Sequence, residues 1–494
     1  MSQEQTASIV SKVWAMCNPL RDAGVSYGDY LEQLTYLIFL KMDDEQTKPP
    51  FLKKSFLPAG VRWADLHELT GAALEEQYKK TLEQLGKEPG LLGQIFLGAM
   101  NKIQNIAILS RVVKMIDGEN WSSMTTDVKG DIYEGLLEKN ANDVKSGAGQ
   151  YFTPRPLIRA MVRCVRPEPM KTVCDPCCGS GGFLLAAQDY ISHHYPMDRE
   201  AKRFLKDEAF HGWEIVRETY RMALMNLYLH NIANLEGNIP ITRDDALIKD
   251  PGVRFDYVLT NPPFGKKSSI VSTNEEGKVE SDDLEYNRQD FWTTTSNKQL
   301  NFLQHIHTLL KTTGKAAVVL PDNVLFEGGA GELIRRKLME TSDLHTILRL
   351  PTGIFYKPGV KANVLFFDRR PAGEERQTKE VWFYDFRTNI HFTLKQNPMK
   401  DSDLDDFVNC YHPENRYERE ETWSPENPEG RWRKFSVDEI YQRDKTSLDI
   451  FWIKDRSLAD LDHLPTPEEL AADIIENLQS ALDSFRELEA QLGK

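Results

Sequence analysis

Apolar residues recur at helical spacing over the first part of the chain, then give way to short apolar runs separated by helical stretches. Ile9, Val13 and Trp14 mark a first stripe. Tyr30, Leu34, Leu37, Ile38 and Leu40 line a second helix, for which Ser26 and Asp29 offer a capping pair. Leu74, Tyr78, Leu82 and Leu85 repeat the period in a third, and Ile132, Leu136 and Leu137 in a fourth around 127–139. With no strand signal among them, residues 1–145 are expected to form an all-α N-terminal domain that supports or docks rather than reacts. From about Gly147 strand-like runs appear at 172–174, 209–213, 255–259, 316–320, 346–348 and 363–367, with helices expected at 181–194, 216–231, 299–311 and 329–341. This alternation predicts an α/β, doubly wound domain over 146–370, built on an open, mostly parallel sheet covered on both faces. Ligands of such sheets sit at the carboxyl ends of the strands.

Two stretches depart from the alternation. Residues 266–298 are polar and long for a loop within a domain, which suggests a lid or flap beside a site, or disorder. After Pro371 the chain reads as an acidic, loop-rich extension over 371–494. It ends in a helix at 466–492: Thr466-Pro467-Glu468-Glu469 forms a capping box, and Ala471, Ile474, Leu478, Ala481, Phe485, Leu488 and Leu492 keep a heptad seam that calls for a partner helix.

Composition narrows the class. With 494 residues, 28% charged and 40% hydrophobic, the chain is long enough for two or three domains, and no window has the apolar length of a membrane span. The polar N-terminus lacks a signal peptide's basic flank and apolar centre, so a cytoplasmic location and no membrane partner are expected. Six cysteines are present, three of them at Cys174, Cys177 and Cys178, without the paired spacing of a zinc site; no metal is expected, and reduced, partly buried thiols are. The net charge of −14 argues against a chain that grips duplex nucleic acid unaided.

Two loops carry candidate chemistry. Asp175-Pro176-Cys177-Cys178-Gly179-Ser180-Gly181-Gly182-Phe183 follows a strand and opens a helix, with glycines that let backbone N–H groups approach a ligand. Its spacing is not that of a dinucleotide loop, and Asp175 would repel a pyrophosphate. A ligand with an amine and a sulfonium, such as S-adenosylmethionine, suits that charge better. Glu214 at the next strand's tip stands where doubly wound folds hold ribose hydroxyls, and Asp244 or Asp245 is placed to accept from an adenine amine. In the second loop, Asn261-Pro262-Pro263-Phe264 leaves a strand stiffly, because neither proline can continue a ladder or start a helix there. Taken alone, it is equally well explained as a Pro-terminated strand with a core phenylalanine.

In this order, Gly149-Gln150-Tyr151-Phe152-Thr153-Pro154-Arg155, the 175–183 loop, Glu214 and Asn261-Pro262-Pro263-Phe264 resemble the amino-methylating DNA methyltransferases. With its helical N-terminus and heptad tail, the chain resembles the modification subunits of type I restriction-modification systems over nearly its whole length. That resemblance implies an S-adenosylmethionine-dependent methyltransferase fold and N6 methylation of adenine in double-stranded DNA. The implied partners are a DNA specificity subunit, a second copy of this subunit and a restriction (translocase and nuclease) subunit. It implies that Gln150, Tyr151, Phe152, Thr153, Pro154 and Arg155 cover the cofactor's methionine end. Asp175, Gly179, Ser180, Gly181 and Gly182 then cradle it, Glu214 takes the ribose and Asp245 the adenine.

The chemistry then expected of the second loop follows from adenine itself. Its exocyclic nitrogen is a weak nucleophile because the lone pair is delocalised into the ring. If the Asn261 side-chain oxygen and the Pro262 carbonyl accept its two N–H bonds, the lone pair is freed for attack, and Phe264 can stack on the flipped base. Arg155, Arg159, Arg163 and Arg166 recur at helical spacing and suit either a phosphate backbone or a solvated face. Rival readings are transfer to an RNA base or a glutamine amide, a non-catalytic cofactor-binding scaffold, and a dinucleotide-dependent oxidoreductase.

Overall fold

The alternation read from the sequence reappears in a computed structural model that describes residues 27–119, 121, 153–235, 237–264, 269–273, 279–283, 286–355, 360–394, 396–456, 471, 474–475, 478 and 482. In chain order the strands are β1 Val173–Asp175, β2 Phe210–Trp213, β3 Ile241–Thr242, β4 Phe255–Thr260, β5 Ser269–Thr273, β6 Val279–Asp283, β7 Leu310–Pro321, β8 Ser342–Arg349, β9 Ala362–Arg369, β10 Glu380–Asp385 and β11 Trp432–Ser436. All six predicted strands are among them. The predicted helices appear as Gly182–His194, Arg217–Leu229, Lys298–Leu309 and Ala330–Thr341, each within two residues of the expected ends. The chain divides into two units: residues 1–149, 179–181 and 197–244 form the first, and 150–178, 182–196 and 245–494 the second.

In the first unit the expected helical stripes are buried. Leu34, Leu37, Ile38 and Leu40 of Tyr27–Thr47, and Leu74, Tyr78, Leu82 and Leu85 of Gly71–Leu85, all lie in the core. Two further helices among the described residues are Gly90–Phe96 and Ile106–Asp117; Asn105 caps the latter by accepting from the backbone N–H groups of Ala107 and Ile108. The stripe at 9–14 and the helix expected around 127–139 lie outside the described residues. The N-terminal helices are built onto Arg217–Leu229. Phe39 packs on Phe96 and Tyr228, with ring centroids 5.6 and 5.5 Å apart. Arg221 forms an ion pair with Glu32 and donates to the Leu97 carbonyl. Burial raises the Glu32 carboxyl above the ordinary carboxylate range, opposed by Arg221. In the same unit β2 pairs in parallel with β3, a two-residue strand just before Asp244.

In the second unit seven strands run side by side in the order β11-β10-β8-β9-β7-β4-β1. Pairs β1–β4, β4–β7 and β8–β10 are parallel, whereas β9 is antiparallel to both β7 and β8 and β11 is antiparallel to β10. The sheet is thus more mixed than expected. An apolar run such as Asn363–Phe367, buried on both faces, carries no signal of strand direction. The 266–298 stretch is not a simple loop. It includes the antiparallel hairpin β5–β6, and from Tyr286 onward the chain is pinned: Arg288 donates to the Leu247 carbonyl, lies 3.0 Å from His305 Nδ1 and pairs with Asp290.

The extension after 371 is likewise more ordered than its composition suggested. It contributes β10, β11 and the helices Asp405–Tyr411 and Val437–Gln442, with Trp382 stacked on Trp432 at 5.1 Å. Arg335, 1% exposed, ties its 445–446 turn down by donating to the carbonyls of Val324, Glu327, Lys445 and Thr446. Of the expected terminal helix, residues 471, 474, 475, 478 and 482 are described. They are helical, and Ile474, Ile475, Leu478 and Leu482 are exposed. The remainder of 466–492 lies outside the described residues.

Candidate functional site

The predicted site residues fall in both units. In the second, β1 and β4 lie in parallel register, Val173 opposite Tyr257 and Cys174 opposite Val258, so the two loops leave neighbouring strand ends. Asp175, 1% exposed, links them: its Oδ1 accepts from the Thr260 hydroxyl at 2.6 Å and from the Cys177 N–H at 3.0 Å. The carboxylate that argued against a pyrophosphate thus also shapes the turn. Thr260, fully buried, was part of the quoted loop, but nothing in the sequence marked it as the anchor.

One residue later Asn261 is 7% exposed. Its amide Nδ2 donates to the Thr153 hydroxyl at 2.8 Å, and its Oδ1 is buried without a hydrogen-bond partner among the described residues. A buried carbonyl left in that condition costs about 1–3 kcal/mol. Pro262 is buried and Pro263 half-buried beside it. Phe264 is 6% exposed and meets Phe355 edge to face, with centroids 5.5 Å apart at 77°. Most of the ring expected to stack on a base is therefore covered, in part by Phe355, a residue with no motif around it.

Pro154 caps the helix Arg155–Val165, and the Arg155 guanidinium passes so close to Gly182 that a Cβ there would lie 2.5 Å from Nη1. Gln150, Tyr151 and Phe152 lie outside the described residues. Asp245 accepts from the Tyr286 hydroxyl at 2.7 Å and from the Leu247 N–H at 2.9 Å, so the segment following the hairpin holds this carboxylate directly. Tyr286 sits in a polar stretch that gave no hint of the contact.

In the first unit the glycine turn and Glu214 come together. Gly179 and Gly181 adopt positive φ, +53° and +86°, a conformation that side-chain-bearing residues rarely take; a Cβ on Gly181 would also press on Leu227 at 3.3 Å. Asn226, fully buried and unremarked in the sequence, donates to the Ser180 carbonyl at 2.9 Å. Glu214 accepts from the Val216 N–H at 2.8 Å. Burial raises its carboxyl above the ordinary range, while backbone N–H groups of Val216, Gly179 and Ile215 oppose that rise. Asp244 is exposed.

A sequence profile described as N-6 DNA Methylase matches residues 124–447, and one described as HsdM N-terminal domain matches 9–116. The chain belongs to the N-6 DNA methylase family. Two relatives are each 40% identical over 98% of this chain and 95% of their own length: the StySJI type I restriction enzyme methylase subunit of Salmonella typhimurium and the EcoKI methylase subunit of Escherichia coli. The crystal structure of the EcoKI M protein matches 99% of this chain and 96% of its own at 36% identity, with a TM-score of 0.54. A type I restriction-modification structure described in terms of complex assembly and conformational transition shares the fold over 98% of both chains, at 24% identity and a TM-score of 0.70. This member of the N-6 DNA methylase family is a DNA adenine methyltransferase of the type I modification-subunit kind, which favours that reading over RNA, glutamine, scaffold and oxidoreductase alternatives.

Family membership sharpens the question of the arginine row. Arg159 pairs with Asp401 at 2.7 Å, Arg163 with Asp405 at 2.7 Å and Arg166 with Glu414 at 2.9 Å. These side chains, each a third to a half exposed, dock the acidic extension. Arg159→Gln and Arg163→Gln should each cost less than about 1 kcal/mol, as exposed pairs do. A track of phosphate contacts would instead give up about 0.9 of the log-affinity against log-salt slope for each arginine removed. Titration of the assembled methyltransferase on duplex DNA at several salt concentrations should show the slope unchanged.

Proposed function

We propose that this chain is the methyl-transferring subunit of a type I modification complex, with S-adenosylmethionine as methyl donor and the N6 amine of a flipped-out adenine as acceptor. The observation that carries the residue-level reading is the buried, unpartnered Asn261 Oδ1 at the end of β4. A donor-rich amine is what that atom lacks, and the Pro262 carbonyl offers the second acceptor. With both N–H bonds engaged, the nitrogen lone pair is withdrawn from the ring and faces the reacting carbon. Pro263 stiffens the exit, and Phe264 presents its ring edge or, after rearrangement against Phe355, its face to the base.

The cofactor supplies an electrophilic methyl group on a sulfonium. The residues present suit such a ligand: the positive-φ glycines keep Cβ atoms off the backbone, and Glu214 is pinned to the same turn through Gly179. Gly179, Ser180, Gly181 and Gly182 are assigned to its cradle, Asp175 to shaping that cradle, Glu214 to the ribose and Asp245 to the adenine. Of the 150–155 segment, Gln150, Tyr151, Phe152, Pro154 and Arg155 are assigned to the methionine end. Asp245 is preferred over Asp244 because it is the one held by Tyr286.

The catalytic core is assigned to 146–370, the helical 1–145 region to assembly, and 371–494 to subunit contact. A specificity subunit supplies DNA recognition, a reading that the net charge of −14 supports, with a second copy of this chain and a restriction subunit completing a cytoplasmic assembly. Among the described residues no helix is long and apolar enough to cross a membrane. The deciding experiment is labelled methyl transfer to duplex DNA by the chain alone and with its specificity subunit. Site-specific N6-methyladenine should appear only with the partner; robust methylation of RNA or of a protein amide by the chain alone would overturn the proposal.

A further inference from the structure

Thr153 stands out among the residues that the family resemblance assigned to the cofactor. It is 8% exposed, and its hydroxyl is engaged with the Asn261 amide, 108 residues away in the chain. Resting on the assignment of Asn261 as amine acceptor, we infer that Thr153 is a positioning residue for Asn261, acting through that amide rather than on the cofactor.

The two ends of the amide differ in what they can do. Nδ2 can only donate and Oδ1 can only accept. A nucleophilic amine whose lone pair must stay free presents donors alone, so only an asparagine with Oδ1 turned toward it is productive. The reversed amide would set N–H against N–H. A side-chain amide turns about one soft torsion, and a hydroxyl can serve either of its ends, so what Thr153 fixes is the plane and reach of the amide in the observed orientation. The Thr153 oxygen, 2.8 Å from Nδ2, holds the amide plane and takes up the donor end, leaving Oδ1 buried and unpartnered. The hydroxyl thus satisfies the half of the amide that the substrate cannot use. Thr153 lies just before Pro154 and the helix Arg155–Val165, whose Leu157, Ile158 and Met161 are core residues, so its position is set by rigid packing.

The test uses the assembled methyltransferase and three variants, Thr153→Val, Thr153→Ser and Asn261→Ala. Thr153→Val keeps the shape and removes the hydroxyl. It should lower kcat about tenfold, the scale of one lost hydrogen bond, with the S-adenosylmethionine dissociation constant unchanged. Thr153→Ser should restore kcat to near the parent value, which a purely structural role for the γ-methyl would not allow. If Thr153→Val instead weakens cofactor binding and leaves kcat intact, or changes neither, the inference fails. Asn261→Ala separates the two levels. Full transfer by that variant removes the underlying reading, whereas an inactive Asn261→Ala beside a fully active Thr153→Val removes only the role given to Thr153.

Discussion

Asn261→Ala should lower methyl transfer by the assembled enzyme roughly 10²–10³-fold, the range seen when one preorganised polar contact to a reacting centre is removed. S-adenosylmethionine binding should stay within about twofold of the parent, because the side chain's hydrogen-bond partner among the described residues is Thr153 and not a residue of the glycine turn. The alanine leaves β4, the Asp175–Thr260 bond and both prolines in place, so the loss would be chemical and not architectural. Asn261→Asp should do no better: a carboxylate accepts well, but at a position 7% exposed it would carry an uncompensated charge. Single-turnover transfer of a labelled methyl group, alongside equilibrium dialysis of the cofactor, separates the two quantities. Parallel loss of binding and rate would reassign Asn261 to the cofactor, and full activity would remove it from the mechanism.

Order along the chain made this residue legible. Asp175 ends a strand and Glu214 and Asn261 each follow one, and short apolar runs and the period-3.6 pattern located β1, β2, β4 and the helices between them to within two residues. Hidden from the sequence were the contacts that fix these groups. Thr153 reaches Asn261, Asn226 reaches Ser180 and Tyr286 reaches Asp245 across 108, 46 and 41 residues, and a hydrogen bond at such separation leaves no local pattern. The strands β10 and β11 were missed for a different reason. Val381–Tyr384 is a run of four buried apolar residues, but it lies in an acidic, Pro-flanked extension whose average composition masks it; from Arg433 on, β11 alternates half-buried and exposed side chains as an edge strand does, and its Arg433 and Lys434 read as loop. The arginine row shows the converse error of reading a helix face without its neighbour: charge spacing was plain, but the partner carboxylates Asp401, Asp405 and Glu414 arrive from more than 240 residues downstream.

The second unit should lose stability steeply as pH falls below about 6.5. His305 and His345 are 0% and 6% exposed, and burial pushes both imidazoles down to about 3. Each also faces a permanent cation: Arg288 lies 3.0 Å from His305 Nδ1, while Arg416 and Arg419 flank His345. Asp290 and Asp250 near the first, and Asp368 beside the second at 3.5 Å, offset this only in part. In the unfolded chain a histidine titrates near 6.5. The sign follows directly. Below 6.5 the unfolded chain takes up two protons that the folded unit refuses, so the stabilisation is complete above that pH and is lost progressively as pH falls toward about 3. Each histidine contributes about 1.4 kcal/mol per pH unit over that window, roughly 3 kcal/mol per unit for the pair. His307, half-buried and also pushed down to about 3, adds in the same direction. Carboxyls held low by their cationic partners, Asp322 with Arg387 among them, steepen the fall at lower pH, whereas Asp343, raised by burial, opposes it there. Urea midpoints at pH 7.5, 6.5 and 5.5 should therefore stay level between the first two and drop between the last two. Because His305→Gln with His345→Gln removes the titration, the double variant should be less stable at pH 7.5 yet show a shallower drop; an equal drop in both proteins would assign acid sensitivity to other groups.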